Sequence, residues 1–339
     1  MGDTILYDSA MRLFGDHVSP KLLAAAETGE WPAALWDAVS EAGYLDVLAE
    51  GPAGMVEAAA ILRAAGHHAA PIPLAETMLA RWLCAAVSIA APAGPLTVAP
   101  VEPDELLAAA GGRVTGNAAF VPWGQKAEAI ALVIGATVSL VPKTGARYET
   151  GRNLAGEPRD RLTGIEAGAN SKSLSPNALS ADLMLRIGAL MRAAQMAGAM
   201  EAALDLATRY ANDRVQFGRP IGKFQAIQQQ LALLAEEVAA SLVAVESAAQ
   251  RVAEGRPYAE LAMAAAKIRT GEAVGKVTDI AHQVHGAIGF TEEHSLHYLT
   301  RRLWSWRDEF GDEAYWAAAL GRHVAAAGGA GLWPLITAL

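Results

Sequence analysis

Arg214 and Gln225 bracket the stretch Arg214-Val215-Gln216-Phe217-Gly218-Arg219-Pro220-Ile221-Gly222-Lys223-Phe224-Gln225. An apolar helical pattern runs into it from about Asp182, and another leaves it through Ile227, Leu231, Leu234 and Val238. Gly218 and Pro220 break the helix between the two, because glycine tolerates a positive φ and proline cannot extend the ladder. A guanidinium and an amide therefore stand at a helix–helix corner, where they can hold phosphate oxygens through charge-assisted hydrogen bonds. The plainer reading of Arg214 is an ion pair with Asp213 or Glu236. A second set lies at Gln283, Gly286 and Gly289, where glycines after a helix end let backbone approach a ligand, or simply cap the helix. His282 with His285, and His294 with His297, have a metal-ligand spacing, but no third ligand completes a site, so no metal is expected. Gly218–Lys223 lacks phosphate-loop spacing, with Phe224 where a hydroxyl is required.

Three tracts must position these residues. Residues 1–92 read as an N-terminal helical domain, with Leu22, Leu23 and Ala26, then Leu35, Trp36, Val39 and Ala42, at helical spacing. A segment from Met55 to Ala65 closes at Gly66, and another runs from Ala75 to Val87. Residues 93–178 form a small β domain with short runs at 96–99, 118–121, 129–134 and 137–141, the last two joined as a hairpin at Gly135-Ala136. Residues 167–179 read as a linker. Residues 179–339 regain the helical period in four blocks, 181–216, 222–254, 257–285 and 312–326, which predicts a C-terminal four-helix bundle. The fold class is α+β, mainly α.

The 339 residues are 53 % hydrophobic, which excludes disorder. The formal charge of −9, with no basic cluster, excludes a nucleic-acid partner. A single cysteine, Cys84, excludes an internal disulfide framework and suits a reducing cytoplasm. No secretory signal is visible, and no apolar run spans a bilayer, so a cytoplasmic protein without membrane contact is expected.

The Arg-x-x-Phe-Gly, Pro and Phe-Gln pattern at 214–225 resembles the flavin-contacting corner of the acyl-CoA dehydrogenase family. Ala266-Lys267, Gln283 through Glu293, and Arg307-Asp308 follow in the family's order. Near the N-terminus, Gly29-Glu30-Trp31-Pro32 and Glu41-Ala42-Gly43-Tyr44 extend the likeness. The resemblance implies the helical, β, helical architecture, an acyl-CoA substrate, FAD as hydride acceptor, an electron-transfer acceptor and an oligomer. It also implies that Arg214, Phe217 and Gln225 reach the ADP half of a neighbouring subunit's FAD, with Gln283 and Gly286 at its adenine end. Gly286-Ala287 stands where the family usually has two glycines.

The resemblance breaks where the family does its chemistry. α,β-Desaturation needs a carboxylate to take the α-proton while flavin accepts the β-hydride. The family's usual Glu-Gly is Phe310-Gly311 here, and Glu309 lies one residue early, about 100° away on a helix. The alternative base position, near Arg186–Leu190, has no carboxylate. Asp312 replaces a threonine beside the flavin. In the β domain, Val98-Ala99-Pro100 and Phe120-Val121-Pro122 stand in reduced form for two flavin-holding strands, and Pro122 cannot donate a backbone hydrogen bond. Residues offered to a neighbour are kept, while those needed to hold the flavin ring and abstract the proton are missing or displaced. Three functions follow: an acyl-CoA dehydrogenase subunit with Glu309 as base, a non-catalytic subunit completing the FAD site of an active homologue, or a flavoprotein acting on a non-thioester substrate. A heteromeric assembly suits a bulky acyl-CoA, on analogy alone.

Overall fold

The computed structural model describes all residues except 1–3, 50, 100–106, 111–112, 136, 169, 174–180 and 339. Pro100 and residues 169 and 174–179 of the expected linker therefore lie outside the described residues, and the rest of that linker, 167–168 and 170–173, is strand instead, hydrogen-bonded into the β domain. Five helices come first: α1 (Thr4–His17), α2 (Pro20–Glu27), α3 (Ala33–Glu41), α4 (Met55–His67) and α5 (Leu74–Ala86). Ser19 caps α2 by accepting from Leu22 N at 3.2 Å, with Pro20 in the first turn where its missing N–H costs nothing. Gly66, expected to end a helix, lies inside α4 instead. A Cβ there would fall 2.0 Å from Gln195 O, so the glycine is a close-packing site.

Eight strands follow. β1 (Leu96–Val98), β2 (Ala108–Ala110), β3 (Arg113–Pro122), β4 (Ala129–Ile134), β5 (Thr137–Pro142), β6 (Arg147–Glu149), β7 (Arg159–Gly168) and β8 (Asn170–Ser173) form two four-stranded sheets. Their orders are β1-β4-β5-β8 and β2-β3-β7-β6. The expected hairpin is present, with Ile134 opposite Thr137 and Gly135 at φ +59°. Between the sheets lies an apolar layer that includes Val114, Val121, Ile130, Leu132, Leu162 and Ile165. β7 was not anticipated, because its first two residues, Arg159 and Asp160, are buried charges where the apolar pattern of a strand would ordinarily stand.

The helical period returns in α6 (Ala181–Asp213). A two-residue hairpin, β9 (Val215–Gln216) and β10 (Arg219–Pro220), leads to α7 (Gln225–Ala253) and then α8 (Ala259–His285). Two helices join the four expected. α9 (Leu296–Asp308) precedes α10 (Glu313–Ala327), and α11 (Gly329–Ala338) follows it. Leu296, Leu299, Leu303 and Trp306, all buried, recur at three- and four-residue spacing, so α9 was legible as a helix. α6 is the axis of the molecule, packing on α4, α7, α8 and α9. At its crossing with α4, a Cβ on Gly198 would fall 1.9 Å from Arg63 O. Gly198→Ala is expected to destabilise the protein by about 3 kcal/mol, since neither backbone can yield, and denaturant unfolding checks it. Among the described residues no helix is long and apolar enough to cross a membrane.

Candidate functional site

Two regions carry the chemically interesting side chains. The first is one end of the helical bundle. α7 and α8 are joined by a short turn at Gly255 and run antiparallel, which returns the end of α8 to the start of α7. The end of α6 comes to the same place: the Tyr210 ring stacks on His285 at 4.8 Å, and Arg214 N donates to Tyr210 O at 2.9 Å. This end therefore gathers Arg214, Phe217, Gln225, Gln283 and Gly286. All five are exposed, Phe217 by 93 %. Phe217 and Gly218 form the turn between β9 and β10, with φ of +53° and +76°. Both central residues of such a primed hairpin turn need a positive φ, which costs a non-glycine residue energy. Phe217 thus combines a left-handed backbone with a ring held out in solvent. Behind it Arg219 lies over the Phe224 ring at 4.3 Å, and Phe217 meets that ring edge-on at 6.2 Å. Arg214 makes no ion pair with Asp213 or Glu236 among the described residues, so its guanidinium is available. Gly286 caps α8 at φ +64° with open space beyond.

The histidines nearby are packed or hydrogen-bonded. His282 Nε2 lies 3.1 Å from Thr300 Oγ1, and His285 Nδ1 lies 2.7 Å from Ala281 O. Burial lowers the pKa of both. Among the described residues no group of three or more His, Cys, Asp or Glu could hold a metal ion.

The second region is a cleft of about 810 Å³ between the β domain and the C-terminal helices. Its walls include Phe120 and Pro122 of β3, Leu154 before β7, Arg159 at the start of β7, Leu185 of α6, Trp304 of α9 and Tyr315 of α10. Glu309 lies in its floor, on the turn between α9 and α10. One carboxylate oxygen accepts from Arg159, with Nε at 2.8 Å, and the other lies 2.6 Å from Arg192 Nη2. The same Arg192 nitrogen reaches Glu76 of α5 at 2.6 Å, and Nη1 reaches Gln195 at 2.5 Å. Glu157 extends the network, accepting from Arg159 at 3.2 Å, Asn153 at 3.0 Å and Trp306 at 3.0 Å, with Arg302 at 3.3 Å. Glu76, Glu157, Arg159, Arg192 and Arg302 are all buried. Burial alone would raise the pKa of Glu157, but Arg302, Arg159 and Arg192 outweigh it and hold the pKa below the usual carboxylate range. Burial would lower Arg192, yet Glu309, Glu76 and Glu157 raise it.

The turn itself is fastened from below. Lys267 Nζ donates to Arg307 O at 2.5 Å and Gly311 O at 2.8 Å, although burial pushes its pKa down to about 7. Asp312 caps α10 by accepting from Tyr315 N at 2.7 Å. Phe310 takes φ +55° and is buried, its ring so close to Gly188 that a Cβ there would fall 2.3 Å away. The two positions at which a base was sought thus touch one another, as a phenylalanine ring on a glycine. The sequence reading missed Arg159, Arg192, Glu76 and Glu157. A buried arginine looks like any surface arginine until its carboxylate is found, and these partners lie 150, 117 and 116 residues apart along the chain for Arg159–Glu309, Arg192–Glu309 and Arg192–Glu76.

Comparison with known proteins agrees with the architecture. The acyl-CoA dehydrogenase C-terminal domain family matches residues 180–323. The acyl-CoA dehydrogenase IpdE2 of Mycolicibacterium smegmatis is 31 % identical over 308 residues, covering 88 % of this chain and 91 % of that protein. A variant of the steroid ACAD Tcur3481-Tcur3483 superposes with a TM-score of 0.85 at 26 % identity, over 95 % of this chain and 97 % of that one. The ChsE4-ChsE5 complex of Mycobacterium tuberculosis gives 0.81 at 25 % identity, over 94 % and 96 %. The chain belongs to the acyl-CoA dehydrogenase family.

Proposed function

We propose that this chain is the non-catalytic partner subunit of a heteromeric, FAD-dependent acyl-CoA dehydrogenase, and that it completes the FAD site of an active homologue. The observation that carries this reading is the contrast between the two regions. The bundle end offers a free arginine, two exposed amides and open backbone at Gly286, which suit a dinucleotide's ADP half. Arg214 and Gln225 would hold the pyrophosphate, Gln283 and Gly286 would face the adenine, and Phe217 would pack beside them. When bound, the flavin supplies the hydride acceptor for α,β-desaturation of an acyl-CoA. The chain's own cleft does not fit the flavin ring. Pro122 has no N–H to give it, Phe120 projects into the space, and Asp308, Glu309 and Asp312 present carboxylates.

Glu309 is a poor base in this setting. One of its oxygens accepts from Arg159 and the other lies against Arg192, so the carboxylate is held in the floor by two buried side chains and is not presented to a substrate carbon. The relatives in which two chains form the enzyme or complex, Tcur3481-Tcur3483 and ChsE4-ChsE5, support a heteromeric assembly, and the word steroid in one description supports a bulky acyl group. Transfer of electrons onward to an acceptor protein would then be the homologue's task.

Flavin content tests the proposal. The chain expressed alone is expected to be colourless. The tagged chain recovered from cells that make it naturally is expected to carry flavin together with a second acyl-CoA dehydrogenase chain. A ratio near one flavin per chain in the protein expressed alone would overturn it and make Glu309 the residue to test as base.

A further inference from the structure

The cleft survives although it lacks a usable base, and its walls are not those of a vestige. Phe120 is 69 % exposed, Leu154 63 %, Tyr315 45 % and Trp304 39 %, and all four face the same space. A cluster of exposed large apolar side chains around one concavity of this volume is the usual form of a small-molecule site. Backbone strain is concentrated in it as well. Phe120 sits at φ +52° in a bulge, where the four residues of β3 from Ala118 to Val121 oppose the three on β7 from Leu162 to Asp160. That bulge turns the ring out of the sheet and into the cleft. Phe310 on the opposite wall is also left-handed, at φ +55°. Two strained phenylalanines on facing walls of one cavity point to a built surface.

The charges define what fits. Arg159 and Glu309 neutralise each other. Arg152 lines the cleft and donates to the main-chain oxygen of Glu27 at the end of α2. Asp312 is committed to its helix cap. Asp308 is exposed and has no hydrogen bond or ion pair among the described residues. The cleft therefore offers aromatic and aliphatic walls and one open acceptor, and its lining charges, Arg152 and Arg159 against Asp308, Glu309 and Asp312, leave it net negative and unfavourable to an anion.

We infer that this cleft binds an uncharged, bulky polycyclic or branched hydrocarbon bearing a hydroxyl group, which it holds without transforming. The hydrocarbon body packs between Phe120, Leu154, Trp304 and Tyr315, and the hydroxyl donates to Asp308. The inference rests on the reading that this cleft holds no flavin.

The test uses the full chain expressed alone, with Nile red, an uncharged polycyclic dye, as the probe. Displacement is compared for dehydroabietyl alcohol and dehydroabietic acid, which share one tricyclic skeleton and differ in charge. Saturable dye binding is expected, with the alcohol displacing the dye at a concentration about tenfold below that needed for the acid, the discrimination one exposed carboxylate gives at close range. Leu154→Asp and Phe120→Gly, both at exposed positions, are expected to abolish dye binding, and Asp308→Asn to bring the two competitors together. Mass spectrometry is expected to recover the alcohol unchanged. Dye binding that ignores Leu154→Asp and Phe120→Gly, or equal displacement by acid and alcohol with Asp308 intact, overturns the inference alone. A visible flavin spectrum before any dye is added overturns the functional reading as well, so the two failures are told apart.

Discussion

Replacing Arg192 with methionine is expected to lower the stability of the chain by about 3–5 kcal/mol, because it strands the Glu76 carboxylate in the interior and takes from Glu309 one of its two arginines. Arg192 is buried and links Glu76 of α5 to Glu309 of the α9–α10 turn. Methionine matches much of the side chain's length but satisfies neither carboxylate. The denaturant midpoint should fall while the slope of the transition stays constant, the mark of a change in the native state's energy. Glu309→Gln should also destabilise, by about 2 kcal/mol, since an amide leaves Arg159 and Arg192 short of a counter-charge. That second result discriminates between roles. A carboxylate kept for proton abstraction would leave the midpoint unmoved or raise it when replaced, whereas a carboxylate kept to bind the β domain to the helices must lower it. An unchanged midpoint in both variants would sink the structural reading of the network.

The other large effect lies at the opposite kind of site. Arg214→Ala should leave the stability of this chain unchanged, because the guanidinium is exposed and unpaired. In the assembled enzyme it should weaken flavin retention by about 30- to 100-fold, the worth of a charge-assisted contact to phosphate. Gln225→Ala should do the same to a lesser degree. The measurement is flavin dissociation from the assembly, followed by fluorescence, beside thermal melting of the isolated chain. Loss of stability without loss of flavin would show that Arg214 serves the corner itself. Arg214→Lys should recover little, since an ammonium cannot reproduce the planar fork of donors.

The two regions differ in how far they can be read from sequence. The bundle end is local. Arg214, Phe217, Gly218 and Gln225 sit within twelve residues, and the glycine and proline that break the helix there act through their own backbones. Gly286 is equally self-contained, ending α8 at a positive φ. Helical spacing likewise brought out α6, α7, α8 and α10 within a few residues of their observed ends, because each buries a continuous apolar face. α9 carries the same signal in Leu296, Leu299, Leu303 and Trp306, masked by the arginines between them.

What the sequence by itself determined was the mainly helical architecture and the corner from Arg214 to Gln225, both consequences of short-range rules; that Gln283 and Gly286 join this corner follows from the packing of α7 on α8. Only the tertiary structure decided the character of the cleft. Glu309 reads in the sequence as a base one residue out of register, and the fold sets it in a network drawn from α5, α6 and β7 that no sequence pattern announces. Gly66 looked like a helix end and proved to be where α4 meets the backbone of α6. In each case the deciding partner lies more than a hundred residues away. Burial sets the strength of a charge and the space around a glycine, and burial is a property of the assembled molecule.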